Sequence, residues 1–209
     1  MPAHKHNPYA IVNMFEEEVA HYSGAKYAVA VDSCTNAIFL CCKYLNVKQV
    51  TIPSQTYLSV PMSIEHAGGK VFFDKSNMTN HWCGVYQLKP YAIYDAAKRF
   101  TSGMYMEKSF MCLSFQTKKI LSIGKGGMIL TDDKKAVDWF KKARYEGRSE
   151  KFYKDDQIDM LGWNMYMTPE QAARGLTLLQ SCPLQNQDQI EKGGYRDLTE
   201  FNIFKGRGK

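Results

Sequence analysis

Four short segments of the sequence carry residue types that could do chemistry together. The first, Ser33-Cys34-Thr35-Asn36, follows an apolar run and precedes a helical pattern. Free backbone amides at a helix N-terminus, joined by hydroxyl groups, form a binding site for an anion such as a phosphate. Taken alone, the segment also has a simpler interpretation, because Ser, Thr and Asn are ordinary helix-capping residues.

The second and third segments offer an aromatic ring and a carboxylate. Tyr57, which ends Pro53-Ser54-Gln55-Thr56-Tyr57, could present its ring face to a planar ligand or could be an ordinary packed tyrosine. Asp95 follows the apolar run Tyr91–Tyr94, and a carboxylate at a buried strand end needs a partner. That partner could be Arg99, the backbone of the next segment or a protonated ring nitrogen of a ligand.

The fourth segment is Ser114-Phe115-Gln116-Thr117-Lys118-Lys119, followed by Gly124-Lys125-Gly126-Gly127. A lysine at the end of a buried strand, near other cations, is a candidate nucleophile, because desolvation and neighbouring positive charge favour its free amine. Such an amine could form a Schiff base. The segment does not fit a nucleotide phosphate loop, because the Walker pattern requires Gly where Lys119 stands, and Ile129 breaks the dinucleotide pattern.

In chain order, these segments offer an anion cradle, an aromatic face, a carboxylate and a lysine. Pyridoxal 5′-phosphate (PLP) carries the complementary groups: a phosphate, a flat ring, a pyridine nitrogen and an aldehyde. The cofactor acts as an electron sink, and a protonated pyridine nitrogen strengthens that sink. The combination therefore predicts a PLP site.

The same segments resemble, in order, motifs of the DegT/DnrJ/EryC1/StrS family of PLP-dependent sugar aminotransferases, which have the type I aspartate aminotransferase fold. Ser33–Ala37 resembles the family's phosphate loop, and Pro53–Tyr57 resembles its PSxT-aromatic segment. Asp95-Ala96-Ala97 resembles its DAAQ motif. The run from Ser114 to Gly127 resembles its SF…K…GEGG motif, and Gly162-Trp163-Asn164 resembles its GxN segment.

The resemblance implies a set of site residues. Lys119 would form the Schiff base, since it lies five residues after Ser114 and five before Gly124, as in the family. Asp95 would hold the pyridine nitrogen, and Lys119 and Asp95 are the predicted catalytic residues. The predicted cofactor-binding residues are Cys34, Thr35, Tyr57, Asp95, Lys98, Ser114, Lys119 and Asn164. No metal site is expected, because the cysteines form no CxxC pair and no histidine stands at ligand spacing.

The resemblance also implies an activity and partners. The amino group would come from an amino acid, typically glutamate, pass through pyridoxamine 5′-phosphate, and reach a nucleotide-linked keto-sugar in polysaccharide biosynthesis. The enzyme would be a homodimer in which Asn164 serves the neighbouring subunit. The net charge of +6 suits an anionic substrate.

Departures from the family pattern, together with the short length of the chain, leave two alternatives open. Lys98, Lys125 and Tyr166 stand where the family has Gln or His, Glu and Arg, respectively. One alternative is another PLP-dependent reaction on a small amino acid. The other is a catalytically weak protein that binds PLP or a nucleotide sugar.

The elements that must position these residues alternate between short apolar strands and amphipathic helices. The predicted helices cover residues 9–22, 37–45, 57–67, 136–145 and 169–180, the last with Thr168 as N-cap. The predicted strands cover residues 27–31, 50–52, 70–73, 91–94, 110–115 and 128–131. This alternation predicts a three-layer α/β/α fold with a mostly parallel sheet, in which ligands bind at the strand ends. We expect residues 1–184 to form a shortened PLP-binding large domain, and residues 185–209 a polar tail or a remnant of the small domain.

Composition excludes several other classes of protein. Hydrophobic residues make up 44% and charged residues 23% of the chain, as in globular proteins. No apolar run is long enough for a membrane span, and residues 1–7 lack the apolar stretch of a signal peptide. The sequence thus favours a cytoplasmic enzyme, and a shortened one would suit a compact viral genome. Basic residues between Lys134 and Arg148 indicate a solvated helix face, and no basic stripe with interleaved aromatics predicts nucleic-acid binding.

Overall fold

The fold was analysed in a computed structural model that describes residues 7, 9–74, 83–190 and 194–207. Residues 1–6, which belong to the segment without a signal-peptide pattern, lie outside the described residues. The described helices α1 to α5 are Ala10–Ser23, Cys34–Tyr44, Ser59–His66, Lys134–Ala143 and Pro169–Leu179. The described strands β1 to β7 are Tyr27–Val31, Gln49–Pro53, Lys70–Asp74, Tyr86–Gln87, Ile93–Asp95, Phe110–Ser114 and Gly127–Thr131.

Each helix and strand predicted from the sequence is present, with small shifts at the ends. The largest shift is at α2, which begins at Cys34 instead of residue 37, because the Ser33 side chain accepts a hydrogen bond from the Asn36 amide. The predicted cap of α5 is confirmed: Thr168 accepts from the Gln171 amide and completes a capping box. The two-residue strand β4 was not predicted, because so short a strand has no periodic pattern.

In the described part of the chain, the strands form one layer that contains both parallel and antiparallel pairs. One sheet has the order β1-β7-β6-β5-β4, and β2 and β3 form a parallel pair. Thr51 of β2 exchanges two backbone hydrogen bonds, of 2.8 and 3.0 Å, with Lys89, just beyond β4. This bridge joins the pair to the larger sheet. Strands β1, β2, β3, β5 and β6 run in one direction, and β4 and β7 run opposite. The predicted α/β fold with a mostly parallel sheet is thus confirmed.

The sheet is covered on both faces. Along β1, Ala28 and Ala30 pack in one core with residues of α1 and α5, whereas Val29 and Val31 pack in another with residues of α2 and α4. Both sets of side chains are buried, so the strand reads as a continuous apolar run without alternating polar positions. No helix in the described ranges is both long and apolar enough to cross a membrane.

One charge of the basic cluster is not solvated, so the predicted solvated face is wrong at this position. Arg144 is buried and donates hydrogen bonds to the Glu16 carboxylate and to the backbone carbonyl of Ala30. A buried arginine requires such a partner, because an unpaired charge would be too costly to desolvate. The contact ties α1, β1 and α4 together.

The C-terminal residues return to the core. Leu198 and Phe204 are buried, and Phe204 packs edge-on against Phe73 of β3. The Leu198 amide donates to the Ser54 carbonyl at 2.9 Å, close to the end of β2. The segment therefore lies along the edge of the sheet where the site residues are.

Candidate active site

A cavity of about 550 Å³ lies at the carboxyl ends of β5 and β6, beside the N-terminus of α2. Its volume is in the range of small-molecule binding pockets, about 300–1,000 Å³. Register explains why distant residues meet here: Gly127 of β7 lies opposite both Val31 of β1 and Ser114 of β6. Seven of the eight predicted cofactor-binding residues line the cavity: Cys34, Thr35, Tyr57, Asp95, Lys98, Ser114 and Lys119.

The N-terminus of α2 forms one wall. Backbone amides in the first turn of a helix have no acceptor within the helix and attract anions. Hydroxyl groups surround this turn, since the Thr35 and Ser59 hydroxyls are hydrogen-bonded at 2.8 Å and Ser114 also lines the cavity. The arrangement can hold a phosphate.

Gly127 lets this wall approach the sheet. A Cβ atom at this position would lie 2.3 Å from the carbonyl carbon of Ser33 and 2.5 Å from the amide nitrogen of Cys34. Both atoms belong to the backbone and cannot turn aside. The second Gly of the Gly126-Gly127 pair is therefore required by close packing of β7 against the start of α2.

Asp95 lies at the base of the cavity and is 3% exposed. Its carboxylate accepts hydrogen bonds of 2.9 Å from the Tyr86 hydroxyl and from the Ala97 amide. Burial raises the pKa of Asp95 above its ordinary value of 3.8, whereas these hydrogen bonds and the charges of Lys119 and Lys98 oppose the rise. A cation placed beside Asp95 would compensate its buried charge.

Arg99, one partner left open by the sequence, does not pair with Asp95. Its guanidinium binds the Asp188 carboxylate through two hydrogen bonds of 2.8 and 2.5 Å. The second possible partner, the backbone of the next segment, is present: the Ala97 amide donates a hydrogen bond to Asp95. The third possibility, a ring nitrogen, remains a prediction.

The thiol of Cys34 is buried beside a carboxylate. Its Sγ lies 4.0 Å from an Asp95 oxygen and 3.4 Å from the carbonyl of Cys112. Burial and the neighbouring carboxylate raise the pKa of Cys34 well above its ordinary value. The backbone amide of Cys34, at the start of α2, can donate a hydrogen bond to an anion.

Four lysines line the cavity, which gives it an excess of positive charge over Asp95 among the described lining residues. Lys118 and Lys119 follow β6. Lys98 is buried, with its ammonium group 4.5 Å from the centre of the Tyr195 ring. Lys125 lies at the exposed rim, 3.5 Å from an oxygen of Asp32. The cavity therefore favours an anionic ligand.

Two predicted residues are more exposed than the others. Tyr57 is 59% exposed at the mouth of the cavity, where its ring centre lies 6.2 Å from that of Tyr195. Asn164 is exposed and does not line the cavity; its side-chain amide donates to the Glu146 carboxylate. Within one chain, Asn164 is therefore not among the residues that line the cavity.

The sequence analysis missed several residues of the site, among them Ser59, Tyr86, Gln189 and Tyr195. Ser59 could have been found as a hydroxyl at the start of a predicted helix. Tyr86, which holds Asp95, lies on the unpredicted strand β4. Gln189 and Tyr195 come from the C-terminal segment and line the cavity, although no motif marks them.

The fold of the chain is that of PLP-dependent aminotransferases. AtS13 from Actinomadura melliaura superposes with a TM-score of 0.72 at 18% identity, covering 82% of this chain and 60% of that one. PseC of Helicobacter pylori, an aminotransferase involved in the biosynthesis of pseudoaminic acid, gives 0.65 at 16% identity, covering 86% and 59%. At such identities the likeness concerns the fold.

The chain belongs to the DegT/DnrJ/EryC1/StrS aminotransferase family, whose sequence profile matches residues 4–104 and 91–196. It is 28% identical to the spore coat polysaccharide biosynthesis protein SpsC of Bacillus subtilis (strain 168), over 93% of this chain and 62% of that protein. It is 25% identical to GDP-perosamine synthase of Escherichia coli O157:H7, over 82% and 58%. The predicted family is confirmed, and the chain spans about 60% of the length of these relatives.

Proposed function

We propose that this protein is a PLP-dependent aminotransferase that transfers an amino group from an amino acid to a nucleotide-linked keto-sugar. The observation that carries the proposal is the meeting of Asp95, Lys119 and the N-terminus of α2 around one cavity. These groups come from different strand ends, and PLP needs all three. Family membership supports the same activity.

The residues present fit the cofactor. The amides of Cys34 and Thr35, with the hydroxyls of Ser59 and Ser114, would hold the phosphate. Asp95 would pair with the protonated pyridine nitrogen, which supplies the cation that its buried carboxylate favours. Tyr57 would lie against the ring from the mouth of the cavity.

Bound PLP supplies an electron sink for the negative charge that develops at the Cα atom of an amino acid. Lys119 would carry the amine to which the cofactor aldehyde attaches. When its amine is free, the Nζ atom of Lys119 would accept a proton from the Cα atom of the amino donor as general base and hold it for return as general acid. The half-buried position of Lys119 at the cavity wall suits both roles.

The substrates follow from charge and from the relatives. Lysines outnumber carboxylates around the cavity, which suits the phosphates of a nucleotide sugar and the carboxylates of glutamate as donor. One relative is named GDP-perosamine synthase, and another is a polysaccharide biosynthesis protein. A sugar acceptor is therefore the substrate class that we propose.

We infer further that the protein works as a homodimer in which Asn164 reaches the partner's cavity. Asn164 is exposed outside its own cavity. Nearby in sequence, four large apolar side chains are exposed to solvent, as expected for a surface that a second copy covers. They are Phe152, Tyr153, Ile158 and Leu161.

The test is covalent trapping of the cofactor. PLP is added to the protein, borohydride reduces any imine, and peptide mapping locates the modified lysine. We expect modification at Lys119 and its loss in Lys119→Ala. The matched control, Lys118→Ala, changes the neighbouring lysine of the same cavity and should retain the modification.

Bleaching of the bound cofactor's absorption by glutamate then distinguishes transamination from the alternatives. Trapping at Lys119 without a reaction toward any amino donor would favour a catalytically weak binding protein. Reaction with an amino acid but not with a nucleotide keto-sugar would favour a different PLP-dependent reaction. Absence of trapping in the wild-type protein would overturn the proposal.

A further inference from the structure

The C-terminal segment Leu184–Gln189 is fastened along the loop that follows Asp95. The Ser102 amide donates to the Leu184 carbonyl at 2.8 Å, and the Asn186 side chain donates to the Phe100 carbonyl at 3.0 Å. These contacts hold the segment in a defined path before it reaches the cavity.

The ion pair between Arg99 and Asp188 locks the end of this path. It is bidentate, and such pairs are more specific in geometry than single contacts. The hydrogen bonds from the guanidinium lower the pKa of Asp188, which favours its charged form in the pair. Asp188 also lies directly on Gly84, where a Cβ atom would be 2.2 Å from its carboxylate oxygen. The position of the next residue, Gln189, is therefore closely determined.

Gln189 joins the two loops that carry the site. Its backbone amide donates to the Lys98 carbonyl at 2.9 Å, on the Asp95 loop. Its side-chain amide donates to the Lys118 carbonyl at 2.8 Å, on the lysine loop. Because that carbonyl belongs to the peptide group linking Lys118 to Lys119, the bond acts on Lys119 directly.

The same peptide group is held at its other end. The Lys119 amide donates to the Gln116 carbonyl at 2.8 Å. Since a peptide group is planar, fixing its oxygen and its nitrogen fixes the direction in which the Lys119 Cα leaves it. Lys118 and Lys119 both line the cavity, and without the contact from Gln189 the turn from Gln116 to Lys119 would have one fewer restraint on which of the two amines is presented to a ligand.

We propose that Gln189 is a positioning residue that selects Lys119 over Lys118 as the reactive amine. The inference rests on the proposed function for the role of the amine, but the restraint itself is a property of the chain without cofactor. It makes the C-terminal segment part of the active site, although no family motif lies there.

Two variants of Gln189 remove the donor while preserving the length of the side chain. Gln189→Met has no polar group, and Gln189→Glu places an acceptor opposite the Lys118 carbonyl. The matched controls are Gln187→Met and Gln187→Glu, because Gln187 is an exposed glutamine of the same segment. Thermal unfolding checks that each variant is folded.

Hydrogen exchange in the protein without cofactor measures the restraint. We expect amides 117–119 to exchange about five-fold faster in both Gln189 variants than in the wild type and in the Gln187 controls. A five-fold change corresponds to about 1 kcal/mol, the usual net contribution of one hydrogen bond. Unchanged exchange in both Gln189 variants would overturn the inference.

Borohydride trapping with PLP measures the selection of the amine. The ratio of Lys119 to Lys118 modification should fall at least five-fold in the Gln189 variants and stay at the wild-type value in the controls. If the wild type is trapped at Lys119 and the Gln189 variants keep its selectivity, the inference fails while the proposed function stands. If the wild type is not trapped at all, the proposed function fails and the exchange measurement alone decides the restraint.

Discussion

At the residue scale, the site depends on one buried carboxylate and on a choice between adjacent lysines. Asp95 keeps two hydrogen-bond donors, yet burial still raises its pKa. A functional carboxylate of this kind is costly in the protein without ligand and becomes favourable when a cation binds beside it. Lys118 and Lys119 both line the cavity, so residue type alone does not separate them.

Because the buried charge of Asp95 destabilises the cofactor-free fold, we expect Asp95→Asn to stabilise that fold in a pH-dependent way. A raised pKa means that the folded state holds the proton more tightly, so wild-type stability falls as pH rises from 3.8 through the folded-state pKa. Asparagine has no such dependence. The cofactor-free variant should therefore melt about 2–4 °C above the wild type at pH 8, equivalent to about 1 kcal/mol, and the difference should shrink toward pH 4.

The control for this prediction is Asp138→Asn, which changes an exposed carboxylate on α4. Its melting temperature should follow the wild type at both pH values. A lower melting temperature for Asp95→Asn at pH 8 would mean that the ionised carboxylate stabilises the empty fold.

At the element scale, the site requires close approach between β7 and the start of α2. Ser33 caps the helix, and Gly127 leaves room for its backbone. Elsewhere, Arg144, which follows the last residue of α4, donates hydrogen bonds to Glu16 of α1 and to the carbonyl of Ala30 in β1. The sequence places these residues in their elements but does not reveal the contacts, which join segments far apart in the chain.

Gly127→Ala should destabilise the protein and weaken PLP binding together. The added methyl would meet backbone atoms of Ser33 and Cys34, so the helix start must move. Overpacking of this kind costs about 1–3 kcal/mol. Urea unfolding and PLP titration measure the two effects. Gly124→Ala is the control. A Cβ atom there would meet nothing within 4 Å, and the only strain would come from the backbone, at φ 101°. Equal effects on PLP binding in both variants would contradict the packing argument.

Arg144→Met should cost about 3–5 kcal/mol in unfolding free energy, because it leaves the buried carboxylate of Glu16 without its buried partner. Lys141→Met is the matched control. Lys141 also lies 3.0 Å from Glu16, but its side chain is 36% exposed, so its loss should cost about 1 kcal/mol or less. Chemical denaturation of both variants at neutral pH tests the difference, and a similar loss in both would refute the assignment.

At the scale of the whole molecule, one chain supplies a cavity whose wall includes its own C-terminal segment. Gln189 and Tyr195 reach the cavity from there, while Asn164 and the exposed apolar residues Phe152, Tyr153, Ile158 and Leu161 are not among its lining residues. A second copy of the chain is the partner that would use this other surface.

Leu161→Glu should shift the protein from dimer to monomer. Leu161 is 91% exposed in a single chain, so the change should leave the monomer's fold intact while placing a charge in the interface that we propose. Analytical ultracentrifugation over a range of concentrations should give at least a ten-fold weaker dimer, together with weaker PLP binding if Asn164 acts in trans. Ile203→Glu, which changes another exposed apolar residue, is the control. If the wild type is a monomer at all concentrations, the proposed dimer is wrong.

The sequence by itself determined the family, the alternation of strands and helices, and the strand ends that carry the site residues. These features are local: apolar runs define the strands, Ser33 and Thr168 cap helices, and motif spacing separates Lys119 from Lys118 only through the family resemblance. Seven of the residues that these local features identify line one cavity in the folded chain. The chemical roles of those residues remain predictions.

Only the tertiary structure decided the contacts between segments distant in the chain. The partner of Arg99 is Asp188 rather than Asp95, Arg144 is buried rather than solvated, and Gln189 reaches the lysine loop. None of these follows from periodicity or spacing, because each depends on how separate segments meet when the sheet and its two helical layers close. Local pattern thus specifies the elements, and the packing of those elements specifies which charges and amides share the site.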